Sequence, residues 1–191
     1  MSDGDVNAGP ADAAESDRTV DDSSDDAYSG IFGTFPYAFR HSDSRLLRSY
    51  VVVGGLLAAL VALIFVFAFI TTVANTLGAG GGTFTFVRSF VVVVGALVVV
   101  PLVGPVVLVA RRHRRRGSTV DYDRALAAGG YIFAFSLYLT LVISAPPELR
   151  EDPSGALAPV VGLLYDLPAV AGAVPPLFAL GVGYLLHRRY R

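Results

Sequence analysis

The chain contains no cysteine, and all fifteen of its basic residues are arginine, so lysine is missing too. Without cysteine, a protein can form no disulfide, no zinc or iron–sulfur site built on thiolates, and no cysteine nucleophile. The formal net charge of −1 hides a strong separation of signs. Acidic residues crowd the first 27 positions, whereas arginines lie beside the apolar segments further along.

Charged residues are also missing from several long apolar runs. Hydrophobic residues make up 53% of the chain and the mean hydropathy is +0.57, which is high for a water-soluble globular protein. A soluble core would interrupt such runs every few positions with polar, outward-facing side chains. We therefore predict an all-α, polytopic membrane protein.

Four runs are long enough to cross a hydrocarbon layer of about 30 Å, at about 1.5 Å per residue. The predicted four-helix transmembrane domain covers residues 49–188, with spans at residues 49–73, 89–110, 125–145 and 167–186.

Two further segments define how these spans begin and connect. Asp43 or Ser44 can cap the first span, because both residue types accept hydrogen bonds from a free helix N-terminus. Residues 155–166 are apolar but too short to cross a bilayer alone. They are predicted to be re-entrant, interfacial or an extension of the fourth helix.

The N-terminal part of the chain differs from the rest. Residues 1–27 are too polar and too like-charged to bury a core, and are predicted to be a disordered acidic tail. Residues 28–48 are aromatic and basic, and we predict that they lie at the membrane interface, where aromatic rings are favoured. The alternative is a partly ordered linker that packs on nothing.

Prolines interrupt the second and fourth spans. Each one removes a backbone donor, which a membrane helix tolerates where a neighbour satisfies the freed carbonyl. We predict helix kinks, packed against protein, at these positions: Pro101, Pro105, Pro168, Pro175 and Pro176.

Small residues recur four apart in three of the spans and are predicted to mark helix contacts, because they let backbones approach closely. They are Gly54, Ala58 and Ala62; Gly130 and Ala134; and Ala179 and Gly183.

Arginines precede the first span, join the second to the third and follow the fourth, so all of them fall on one side. The two opposite connections hold only Arg88 and Arg150, among acidic residues. Positive loops stay in the cytoplasm. We therefore expect a multi-pass protein of the cell membrane with both termini cytoplasmic.

The acidic tail, the missing lysine and the Val-, Ala- and Gly-rich runs together resemble small, uncharacterised membrane proteins of halophilic archaea. The resemblance is one of composition over the whole chain. It implies a cellular context and no particular activity.

The densest charge cluster directly follows the second span. It consists of Arg111, Arg112, Arg114, Arg115 and Arg116, with His113 among them. Guanidinium groups clamp phosphates, so a nucleic-acid site is one interpretation. Beside a membrane helix, contact with anionic lipid headgroups is the simpler prediction. We therefore expect lipids and no nucleic acid as partners.

Arg88 and Asp166 lie at the ends of spans rather than in loops. They are candidates for an ion pair on the outer side that locks the second and fourth helices together. The alternative is two independent side chains that reach the outer interface.

No catalytic set can be assembled from the sequence. His41, His113 and His187 stand among arginines, without the spacing of acidic residues that a metal site needs. No hydroxyl–base–acid set is evident either. We therefore predict no enzyme, no metal and no cofactor.

Apolar spans of this kind can pack but offer little to coordinate an ion. The leading prediction is a non-enzymatic assembly, regulatory or scaffolding component, with a homo-oligomer or a membrane complex as its partner. The alternative is a small oligomeric transporter or channel subunit that uses the kinked second and fourth helices.

Overall fold

The computed structural model describes residues 30–77, 82–116 and 119–190, and within those ranges it contains helices and no strand. The α-helices are α1 (Gly30–His41), α2 (Arg45–Asn75), α3 (Gly82–Arg116), α4 (Val120–Ile143), α5 (Ala158–Tyr165) and α6 (Val174–Tyr190). Short 3-10 helices at Pro147–Leu149 and Ala169–Ala173 complete the described part.

Four helical segments are long and apolar enough to cross a membrane: Arg45–Asn75, Thr85–Arg115, Val120–Ile143 and Ala169–Tyr190. The predicted all-α architecture with four spans is therefore confirmed, and the chain is a multi-pass membrane protein. The 31 residues of α2 reach about 46 Å, which exceeds the hydrocarbon thickness, so its ends extend into the headgroup zone.

Side-chain caps fix the starts of two spanning helices. Ser44, one of the two residues predicted to cap the first span, caps α2. Its hydroxyl accepts a hydrogen bond from the Leu47 backbone N–H at 3.3 Å. Thr119 caps α4 in the same way through the Tyr122 N–H. Asp121 and Asp123 lie in the first turn of α4, where negative charge complements the helix dipole.

Contacts between distant residues show that four helix ends lie together. His113 near the end of α3 contacts Asp123 at the start of α4, and Arg112 reaches the carbonyl of Tyr190 at the end of α6. Ser42, three residues before the start of α2, donates to the same Asp123. We call this the arginine-rich end: the start of α2, the last turns of α3 and α6, and the first turn of α4.

The helix α4 is the centre of the bundle, because it packs against α2, α3 and α6 and has the largest buried share of the four spans. It approaches α6 closely where Gly129 faces Gly183: a Cβ at Gly129 would lie 3.5 Å from the Gly183 Cα. Gly54, Ala58 and Ala179 are also buried. The small-residue stripes therefore mark helix contacts, as predicted.

Tyr50 joins three helices in the half of the bundle near the arginine-rich end. Its ring is fully buried and packs in contact with Gly54 and Gly130. Its hydroxyl donates to the Leu102 carbonyl at 2.7 Å, within the α3 turn that lies between Pro101 and Pro105. A neighbouring helix thus supplies a donor to the proline-containing part of α3.

The prolines of the fourth span do not occupy the predicted positions inside a kinked helix. Pro168 precedes the 3-10 helix Ala169–Ala173, and α6 begins only at Val174, with Pro175 and Pro176 in its first turn. Backbone N–H groups in a first turn have no partner within the helix, so proline costs little there. These residues start the helix, and the prediction that they kink it is wrong.

The segment at residues 30–41 forms α1, which packs on α2 and α3 and buries Ala38 completely. The linker alternative is therefore wrong for these residues. The predicted acidic tail, residues 1–27, lies outside the described part.

The apolar segment before the fourth span forms a separate short helix, α5, which packs on α4. Bends and the 3-10 helix Ala169–Ala173 separate it from α6. It is therefore not an extension of the fourth helix. Arg150 fixes it to the preceding loop, because its guanidinium donates to the carbonyls of Ala145 and Tyr165.

Candidate functional site at the arginine-rich end

A buried carboxylate is the centre of the polar contacts at the arginine-rich end. Asp123 is only 1% exposed, although it stands in the first turn of a membrane helix. Its Oδ2 accepts a hydrogen bond from the Ser42 hydroxyl at 2.7 Å and lies 3.1 Å from His113 Nε2. A buried charge is costly unless such partners satisfy it.

Ser42 belongs to the connection between α1 and α2, and its burial is complete. Its backbone N–H donates to the Ala38 carbonyl, which ends α1. Its hydroxyl oxygen accepts from the Ser44 N–H at 3.1 Å, and its carbonyl accepts from Arg48 Nε at 2.9 Å. Every polar atom of this residue is thus engaged, which fixes the corner between the two helices.

The arrangement of Ser42, Asp123 and His113 is that of a clamp rather than of a nucleophile. In a catalytic triad the imidazole lies between the hydroxyl and the carboxylate and removes the hydroxyl proton. Here the carboxylate lies between the other two groups. The fully buried hydroxyl is also closed to a substrate. We call these three residues the Asp123 clamp, because they join α1, α3 and α4.

Sequence reasoning missed the clamp and placed His113 only within the arginine cluster. The sequence does contain one signal, which is Asp123 itself. It is an acidic residue directly before an apolar span, and it stands among the arginines that are expected to keep this end of the spans in the cytoplasm. Its partners are ten and eighty-one residues away along the chain. No spacing rule relates residues so far apart.

The arginine cluster divides between the protein and its surroundings. Arg112 stacks on the Tyr122 ring at 4.1 Å, and Arg114 lies 4.8 Å from the centre of the Tyr37 ring. Both therefore help to hold the helices together. Arg111 and Arg115 are exposed and stay candidates for headgroup contacts. The Arg116 side chain lies outside the described part.

The predicted ion pair between Arg88 and Asp166 does not form. Arg88 instead donates from Nε to the Thr76 hydroxyl at 2.8 Å and from Nη2 to the Thr76 carbonyl at 2.9 Å. Thr76 is the C-cap of α2, so the cation satisfies a helix C-terminus. Asp166 is exposed at the end of α5. Arg88 therefore binds the nearby C-terminus of α2 and not Asp166.

A double-mutant cycle distinguishes these two partners of Arg88. We expect Arg88→Gln to lower the free energy of unfolding in detergent by about 1–2 kcal/mol, because charged hydrogen bonds to Thr76 are lost. Asp166→Asn should change it by less than about 0.5 kcal/mol. Thr76→Val should couple to Arg88→Gln, and Asp166→Asn should not. Coupling between Arg88→Gln and Asp166→Asn, without coupling to Thr76→Val, would show that Arg88 pairs with Asp166 and would contradict the contact with Thr76.

Among residues 30–77, 82–116 and 119–190, no group of three His, Asp or Glu side chains is placed to hold a metal ion.

Tyr122 and His187 form a second polar contact at the arginine-rich end, with the phenol oxygen of Tyr122 2.9 Å from His187 Nδ1. Like the Asp123 clamp, this pair joins helix ends.

No curated protein and no solved structure matches the chain significantly. One family model does match, over residues 11–191, and it describes a domain of unknown function, DUF8056. Because this match covers nearly the whole chain, the protein belongs to the DUF8056 family.

Proposed function

We propose that this protein is a non-enzymatic assembly, regulatory or scaffolding component of the cell membrane, which binds other membrane proteins or further copies of itself. The observation that carries the proposal is the incomplete packing of the α2–α3 hairpin. Between Ala58 and Thr76, no residue of α2 is buried, and from Thr85 to Pro101 of α3 only Gly95 is buried.

The half of this hairpin that lies farther from the arginine-rich end, which we call its outer half, exposes a large apolar surface. Gly95 packs on Phe65, so the two helices contact each other there. Their other faces expose Leu63, Phe67 and Val93, among other large side chains. Lipid covers such a face in a lone chain, and a partner helix can replace that lipid by packing and by shape.

The polar groups of the spans give less support to a transporter. Thr71 and Thr72 donate to the carbonyls four residues before them, and Ser136 donates to the Phe133 carbonyl. These hydroxyls are occupied within their own helices. The predicted charged pair between the second and fourth helices, which could line a path for an ion, is not formed either, because Arg88 binds Thr76.

We further propose that the arginine-rich end faces the cytoplasm, since basic residues adjoining spans are retained there. In that orientation α1 and the acidic residues before it lie on the cytoplasmic side. The Asp123 clamp would then hold α1 where soluble partners can reach it.

Photo-cross-linking in native membranes tests the proposal. A photoreactive residue at Phe67, on the outer half of the hairpin, should give a protein adduct of one discrete mass. The control is Leu185 on α6, which is as exposed as Phe67 and should give lipid adducts alone. A chain that forms no protein adduct at Phe67 and purifies as a monomer contradicts the proposal, as does a solute flux through vesicles that contain this chain alone.

A further inference from the structure

An apolar groove runs along the bundle between α3 and α6, which make few contacts with each other. Its volume is about 200 Å³. The wall on α3 is formed by Pro101, Gly104, Pro105 and Leu108, and the floor is α4 between Leu126 and Phe133. The wall on α6 runs from Ala179 to His187, which at about 1.5 Å per residue makes the groove roughly 12 Å long.

Polar and cationic groups lie at one end of the groove. His187 lines that end, and its Nδ1 contacts the Tyr122 hydroxyl at 2.9 Å. In the tautomer in which Tyr122 donates, the second ring nitrogen carries the proton and can itself donate. Arg112 lies directly behind, stacked on the Tyr122 ring.

Helical spacing places two exposed arginines beyond the same end. Arg111 follows Leu108 by three positions, and Arg188 follows Tyr184 by four, so each continues the stripe of its helix that lines the groove. One arginine from each wall therefore flanks the opening. The two side chains can bind one phosphate between them.

We propose that this groove binds the proximal part of one acyl chain of an anionic phospholipid, with the phosphate between Arg111 and Arg188. The shape and the charge agree with this occupant. A groove of this size admits a single chain and is too narrow for a helix, whose diameter with side chains is about 10–12 Å. The cationic end lies where a headgroup would be. The proposal is independent of the assembly function, which rests on the hairpin surface elsewhere.

The test measures bound lipid by native mass spectrometry, with phosphatidylglycerol and phosphatidylcholine of identical chains in equal amounts. The parent protein should retain one phosphatidylglycerol in preference to phosphatidylcholine. Arg111→Gln with Arg188→Gln should reduce that preference roughly tenfold or more, since each cation near a headgroup is favourable.

A second double variant controls for charge. Arg124 and Arg189 each stand two positions from a residue that lines the groove, Leu126 and His187, and therefore lie on the opposite faces of the same helices. Arg124→Gln with Arg189→Gln removes the same charge and should leave the preference unchanged. An equal loss in both variants would mean diffuse attraction and would overturn the proposal.

Filling the groove tests the acyl-chain part. A side chain added at Gly104 would meet nothing within 4 Å, so Gly104→Leu should occupy the groove without distorting the fold. Gly181 is equally unobstructed on α6 and does not line the groove. Gly104→Leu should abolish retention of the lipid, and Gly181→Leu should preserve it. Retention by Gly104→Leu, or an effect on dimer formation in place of lipid binding, would overturn the assignment.

Discussion

Replacing Asp123 by alanine is expected to destabilise the protein by about 3 kcal/mol, because it leaves the buried Ser42 hydroxyl and the partly buried His113 ring without their acceptor. The loss should be greatest at α1, which the Asp123 clamp holds on the bundle. We expect amide hydrogen exchange within residues 30–41 to accelerate at least tenfold, while the centre of α4 changes less.

Asp121 supplies the matched control for this variant. It stands in the same turn of α4 and lies 3.8 Å from Arg124, but both side chains of that pair are largely exposed. Asp121→Ala should therefore cost less than about 1 kcal/mol. Unfolding in detergent, followed by circular dichroism, measures both variants. Similar losses for the two would show that Asp123 acts only through the helix dipole.

Replacing Gly130 by alanine is expected to destabilise the bundle by about 1–3 kcal/mol. The added methyl group would overlap the Tyr50 ring. The ring has little freedom to withdraw, because Gly54 lies against it and its hydroxyl is bound to Leu102. Alanine favours a helix more than glycine does, by about 1 kcal/mol. The observed loss of stability is therefore the energetic cost of the steric overlap less this gain in helix propensity.

The adjacent residue separates these two effects. A Cβ at Gly129 would have its nearest contacts at 3.5 Å, an ordinary van der Waals distance. Gly129→Ala should therefore leave stability unchanged or raise it by up to about 1 kcal/mol. Tyr50→Phe frees the ring to shift, so Gly130→Ala should cost less in that background. A larger loss at Gly129 than at Gly130 would contradict the packing around Tyr50.

The spans could be predicted from the sequence because lipid imposes a length and excludes charge, and both properties are local. Each of the four predicted segments falls largely within a helix. The small-residue stripes also indicated which faces meet, since close backbone approach in a membrane requires small side chains. Gly130, which contacts the Tyr50 ring of α2, and Gly183, which faces Gly129, are examples.

The polar contacts could not be predicted in the same way. The sequence suggests Asp166 as the partner of Arg88 because both charges lie near span ends, yet Arg88 donates to the hydroxyl and carbonyl of Thr76 at the nearby end of α2. The Asp123 clamp depends on α1 folding back onto α3, and no local pattern encodes that return. A proline pair can begin a helix as well as bend it, so the sequence alone does not distinguish a kink at residues 175 and 176 from a helix start. The compositional resemblance to proteins of halophilic archaea stays a prediction.

Labelling of single cysteines tests the topology on which the whole account depends, and the chain has no native cysteine to interfere. Asp121 is exposed at the arginine-rich end, and Ser154 is exposed in the connection between α4 and α5. With a membrane-impermeant maleimide on intact cells, Ser154→Cys should be labelled, and Asp121→Cys should be labelled only after permeabilisation. Labelling of Asp121→Cys on intact cells, with or without Ser154→Cys, would contradict four crossings with a cytoplasmic arginine-rich end.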